Sequence, residues 1–186
     1  MNINRKYGKN IDYSDLIIIQ PEDREKLQAF CCGNKILDNY IHNEIFEENY
    51  PQGLHFMVKN NSNDDVIAFV SLATSGIVFE EGTYTEVLPS IKIDVIAVDK
   101  KYQKMPYYED MDDDDHCYLS DFIMSSVIGH IREIDEKYAL VDYILLYADK
   151  DAERYYERNG FGHYSEFMKK EKKMEINENI PMYMAL

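Results

Sequence analysis

The sequence predicts a mixed α/β chain with one sheet, and three observations carry that expectation. Apolar runs of strand length alternate with stretches whose apolar residues recur every three or four positions. At 186 residues the chain has the length of one domain with a single real core. Hydrophobic residues make up 45% and charged residues 30%, the balance of a folded soluble protein and not of a disordered one.

The elements follow in order. Tyr13 to Gln20 reads as a strand, because Leu16, Ile17, Ile18 and Ile19 form a continuous apolar, β-branched run. Pro21-Glu22-Asp23 opens a helix, with proline and acids in the first turn as the macrodipole prefers. Leu27, Phe30 and Cys31 share its inner face, and Gly33-Asn34 breaks it. A second helix places Ile36, Leu37, Tyr40, Ile41, Ile45 and Phe46 on one stripe and ends at Pro51-Gln52-Gly53. A hairpin comes next, with strands His55–Val58 and Val66–Leu72 around the turn residues Asn60 to Asp65. Ile77-Val78-Phe79 is a candidate continuation of that sheet, and Glu80 to Pro89 is expected to be a polar loop. Ile91 to Val98 is apolar on both faces, as a central strand should be.

Residues 99–118 are expected to be irregular, and their acids concentrate at about 103–118. Leu119 to Tyr138 is a long amphipathic helix with Leu119, Phe122, Ile123, Val127, Ile131 and Ile134 facing inward. Val141 to Tyr147 is a buried strand, and Asp151 to Asn159 a short helix closed by Gly160. Phe161–Met168 and Ile180–Leu186 read as two last strands around a charged hairpin loop, Lys169–Asn179. No repeat, linker or second domain interrupts residues 1–186.

Charge and motifs exclude several functions. Twenty Lys and Arg against 35 Asp and Glu give a formal net charge of −15. Phosphate binding needs excess cation, so nucleic acid is an unlikely partner and anionic lipid an unsuitable one. No run of about 20 apolar residues predicts a membrane span. Met1-Asn2-Ile3-Asn4-Arg5-Lys6 has no apolar stretch of signal-peptide type behind it. Three cysteines, Cys31, Cys32 and Cys117, make no disulfide framework, so a reducing cytoplasm is the simplest home. No histidine pair has metal-ligand spacing, so no metal site is expected.

Ala152-Glu153-Arg154-Tyr155-Tyr156-Glu157-Arg158-Asn159-Gly160-Phe161 follows a buried strand and ends in Gly-Phe. It resembles the A-x-x-x-Y-x-x-x-G-F signature of the GNAT superfamily of N-acetyltransferases. The element order is also the GNAT order, and Ile91 to Asp99 resembles the central L-A-V-D strand. Phe30-Cys31-Cys32-Gly33-Asn34, followed by Leu37 and Tyr40-Ile41, is similar to the subgroup that includes tRNA-acetylating toxins.

The resemblance implies a GNAT-like α/β (α+β) single domain. Its sheet would be mixed and mostly antiparallel, of about six to seven strands with helices on both faces. It implies an acyl-CoA-dependent N-acetyltransferase with acetyl-CoA as co-substrate, whose strands ending at Val98 and near Ala148 splay to admit the pantetheine arm. Main-chain groups of Ile96, Ala97 and Val98 would bind that arm, with Gln103, Lys104 and Ala152 also at the cofactor. Tyr156 would protonate the departing thiolate, since an ordinary tyrosine keeps its proton at neutral pH. Beside that stands the plain reading, a tyrosine packed under the sheet. Asp94 on the central strand is a candidate base for the incoming ammonium, or an edge charge paired to a Lys or Arg.

The sequence departs from the family at the Q/R-x-x-G-x-G/A loop, whose small residues let backbone approach a pyrophosphate. Here it runs Tyr102-Gln103-Lys104-Met105-Pro106-Tyr107-Tyr108, with Pro106 and Tyr108 at the glycine positions. Glu109, Asp110, Asp112, Asp113, Asp114 and Asp115 follow, and Asp121 lies in the first turn of the long helix. Two like charges about 4 Å apart cost about 1 kcal/mol even in water. Three readings stay open: an acidic insertion that swings out, a divalent-cation site, or loss of CoA binding. Asp110, Asp112, Asp114 and Asp121 match calcium-loop positions, but Asp115 stands where that loop needs glycine. A solvated loop is the favoured reading. Lys169, Lys170, Lys172 and Lys173 form the dense basic patch, read as a solvated hairpin tip.

The expected acceptor is an amine, a cationic small molecule or a basic protein segment, because opposite charge steers encounter. A homodimer is among the states compatible with the sequence. The alternative is a catalytically inactive GNAT-fold interaction protein that has lost CoA binding.

Overall fold

The computed structural model describes residues 10–47, 54–81, 83–109, 117–164 and 179–186. Its strands are β1 (Ile17–Ile18), β2 (Leu54–Lys59), β3 (Val66–Glu81), β4 (Tyr84–Val98), β5 (Tyr143–Ala148), β6 (Gly162–His163) and β7 (Ile180–Ala185). They form one seven-stranded sheet in the order β1-β2-β3-β4-β5-β7-β6. β1 pairs antiparallel with β2, and β7 antiparallel with both β5 and β6, whereas β4 and β5 run parallel. The helices are α1 (Arg24–Leu27), α2 (Lys35–His42), α3 (Leu119–Lys137) and α4 (Glu153–Arg158). α3 is the crossover that a parallel pair requires. The mixed, mostly antiparallel sheet matches the expectation. No helix among the described residues is long and apolar enough to cross a membrane.

Two compact units emerge. The first takes in the described residues of 1–51, 55–70 and 96–126. Its core packs Ile11, Val58, Ile67, Ala68, Tyr102, Tyr107, Leu119 and Ile123, with Ile96, Val98 and Phe122 against them. Leu119 and Ile123 lie one turn apart on α3 and are fully buried, each contributing about 1.5–3 kcal/mol by leaving water. Asn34 caps α2, its side-chain oxygen accepting from the Ile36 and Leu37 amides at 3.0 and 3.4 Å. The second unit takes in the described residues of 52–54, 71–95 and 127–186. There β5 is buried between β4 and β7, with Ile144, Leu145 and Leu146 almost fully covered.

Several sequence expectations need correction. Glu80 to Pro89 is strand over most of its length, because β3 runs to Glu81 and β4 starts at Tyr84. Main-chain pairing with β3 sustains β4 without core contacts there, and Tyr84, Thr85, Glu86 and Val87 are all exposed. The first helix is shorter than its apolar pattern suggests: a 3-10 turn, Pro21–Asp23, leads into α1, which stops at Leu27. Phe30 is buried beyond its end. The second helix closes at His42, and a separate 3-10 turn carries Glu44–Phe46. The first strand narrows to Ile17–Ile18, with Tyr13 making an isolated bridge to Asn60. The strand expected from Phe161 keeps Gly162–His163 among the described residues. Residues 1–6, Pro51-Gln52-Gly53, the acids Asp110 to Asp115, residues 165–168 and all of the Lys169–Asn179 loop but Asn179 itself lie outside the described residues.

Candidate functional site

Within the second unit, β4 and β5 part company. Their parallel ladder covers Ser90↔Tyr143 through Ile93↔Leu146 and goes no further. Both strands continue, β4 to Val98 and β5 to Ala148. β5 remains paired with β7 all the way to Ala148↔Ile180. Past the ladder, and among the described residues of this unit, Asp94 and Val95 of β4 have no register partner on β5, so main-chain groups there are open to a ligand with amide groups.

Asp94 is the first β4 residue past the ladder. It is exposed and ion-paired to Lys92 Nζ at 2.7 Å. That is the paired edge charge weighed above, and a base role requires Lys92 to let go.

After β5, Asp149 caps a 3-10 turn by accepting from the Asp151 amide at 3.0 Å, and α4 follows with Ala152 at its N-cap. Tyr156 is half-buried on α4, edge-on to Phe161 at 6.0 Å and to Tyr155 at 5.1 Å. Gly160 takes φ +92, the left-handed turn that ends the helix and brings Phe161 back under it. Burial of the Tyr156 ring pushes the phenol up to about 12, with the negative Asp149 adding to it. His163 Nε2 lies 3.0 Å from Glu153 and 3.1 Å from Glu157, tying α4 to β6.

Within the first unit, the end of β4 is fastened rather than open. Ala97 is buried, and Ile96 and Val98 pack on the core. The buried Asp99 carboxylate accepts from the Cys31 amide at 2.8 Å and the Lys101 amide at 2.9 Å, which turns the chain. Gln103 Nε2 donates to the carbonyls of Cys32 and Val98, both at 2.8 Å. Sequence reasoning placed Gln103 at the cofactor, whereas the structure makes it a strut between the segment after α1 and the end of β4. Lys104 is exposed and takes φ 57, a left-handed residue that directs the chain into the following segment.

That segment is pinched shut by main chain. Met105 C=O accepts from Leu119 N–H at 2.9 Å, and Tyr107 N–H donates to Cys117 C=O at 3.0 Å. Pro106 bridges Tyr118 between them. Tyr107 stacks on Phe122 with ring centroids 3.4 Å apart. Asp121 accepts from the Tyr118 amide at 3.0 Å, capping α3. Neither the Gln103 strut nor the pinch has a sequence signal, since both depend on residues distant in the chain.

Cys32 is half-buried, and that burial pushes its thiol up to about 11.

No family model matches the chain, and no curated protein sequence does either. Solved structures match in fold. A bacterial toxin superposes with a TM-score of 0.67 at 15% identity, covering 94% of this chain and 91% of that one. AtaT complexed with acetyl-methionyl-tRNAfMet gives 0.66 at 14% identity, covering 94% and 95%. AtaTR bound with AcCoA gives 0.57 at 15% identity, covering 94% of both chains. The chain thus shares the fold of these three structures over nearly its whole length.

Proposed function

We propose that this chain is an acyl-CoA-dependent N-acetyltransferase that acetylates an amine. The observation that carries the reading is the parting of β4 and β5 after Ile93 and Leu146, while both strands run on. The fold neighbours support it: one is described with acetyl-CoA bound, another with an acetylated aminoacyl-tRNA.

In this reading the main-chain groups of Ile96, Ala97 and Val98 hold the pantetheine arm, as the family resemblance implies. The amine nitrogen attacks the thioester carbonyl carbon, the C–N bond forms, the C–S bond breaks, and the nitrogen loses a proton. The departing sulfur ends as a thiol. Tyr156 stays protonated at neutral pH and donates a hydrogen bond to the sulfur as charge builds there. Asp94 is the candidate base, taking the proton of the incoming ammonium once Lys92 releases it. Ala152 and Lys104 complete the proposed cofactor contacts, and Gln103 positions the end of β4 by holding the Val98 carbonyl. The net charge of −15 favours a cationic small amine or a basic protein segment as acceptor and disfavours RNA.

The test is thiol release from acetyl-CoA with spermidine, a lysine-rich peptide or charged tRNA as acceptor. Turnover with either cationic amine is expected, and Tyr156→Phe should lower kcat about 10²-fold or more. Turnover with tRNA alone would overturn the acceptor class. No turnover with any acceptor, together with no calorimetric heat from acetyl-CoA at millimolar concentration, would overturn the enzyme reading. The closed main chain at the start of α3 favours a second reading in that event, a GNAT-fold interaction protein without acyl transfer.

A further inference from the structure

Three amides at and just before the start of α3 are bonded inside the chain. Leu119 N–H goes to Met105, Tyr118 N–H to the Asp121 carboxylate, and Asp121 N–H back to the Tyr118 carbonyl at 3.0 Å. Pro106, bridged to Tyr118, has no N–H to offer. β4, α3 and β5 make a parallel strand–helix–strand unit. In such units a ligand's phosphate is ordinarily held by free amides and the positive dipole end where the helix begins. Here a phosphate meets two main-chain bonds already made and a carboxylate of its own sign.

The neighbouring cations do not replace that grip. Lys101 is paired with Asp65 at 3.1 Å. The Lys100 side chain lies over Gly33, where an added Cβ would come within 2.3 Å of its Cε. Lys104 is exposed, and an exposed ammonium offers a screened point charge and not a shaped cradle. The pantetheine arm of an acyl donor is different: it is uncharged and carries two amides. It suits the strand edges left by the β4–β5 ladder, and the net charge of −15 does not repel it.

We propose that the acyl donor is recognised through its pantetheine thioester arm and not through its phosphates. The donor class is then acyl-pantetheine thioesters at large, acetyl-CoA being one member. The proposal rests on the acyl-transfer reading above.

Calorimetric titration of the full chain with CoA and, separately, with pantetheine tests it. Dissociation constants within about tenfold of each other are expected, or CoA the weaker ligand. CoA binding more than about tenfold tighter than pantetheine would overturn the proposal and leave the acyl-transfer reading standing. No heat from either ligand at millimolar concentration would overturn both.

Discussion

Tyr156 holds its proton further into the alkaline range than a free phenol does, because charging it means charging a half-buried ring. Two outcomes follow at the scale of this residue. The proton-donor form persists to about pH 12, so the alkaline limb of a rate profile should not fall near pH 10 on its account. The second concerns stability. The folded pKa lies above the unfolded value of 10.0, so the stabilisation is complete below pH 10 and is lost as pH rises through about 12. Denaturant melts at pH 9 and pH 11 should show Tyr156→Phe losing less stability than the native chain across that interval. Tyr13 is raised in the same way, chiefly by burial, and supplies a shared background in both proteins. The position of Tyr156 was legible in the sequence because the helix, the glycine and the following phenylalanine are local. The role of Asp94 was legible only as one of two possibilities, a base or an edge charge beside a Lys or Arg, and its partner is Lys92, two residues away on the same face of the strand.

Among the elements, α4 depends on its exit. Gly160 adopts φ +92, and a Cβ there would sit 3.2 Å from Met184 Cε. Gly160→Ala is expected to cost about 1–2 kcal/mol of unfolding free energy, read by denaturant melts, through the left-handed backbone alone. The end of β4 depends on Asp99, whose buried carboxylate holds two amides. Asp99→Ala should cost about 1–3 kcal/mol by the same measurement, because it removes two hydrogen bonds to a charged acceptor. The sequence disclosed the buried strands and α3 through apolar periodicity, and it also disclosed the missing glycines after Val98. It hid what pairing decides. Tyr84 to Val87 continue a ladder although all are exposed, and Leu27 ends α1 although Phe30 and Cys31 extend its pattern. Polarity reports burial, and main-chain hydrogen bonding can proceed without it.

At the scale of the whole molecule, 35 acids against 20 bases make the folded chain repel itself. Raising ionic strength from about 0.01 to about 0.15 M should therefore raise Tm, because the Debye length shrinks from roughly 30 to 8 Å. A Tm that falls with salt would mean that surface ion pairs such as Lys101–Asp65 outweigh the repulsion. The same imbalance sets the acceptor class proposed above, while the fold itself is indifferent to it. The pinch between Met105 and Leu119 carries its own practical consequence. A blocker for a protein built this way need not imitate a nucleotide: a short thiol-bearing arm with two amides should compete as well as a molecule several times its mass, and should enter cells more easily.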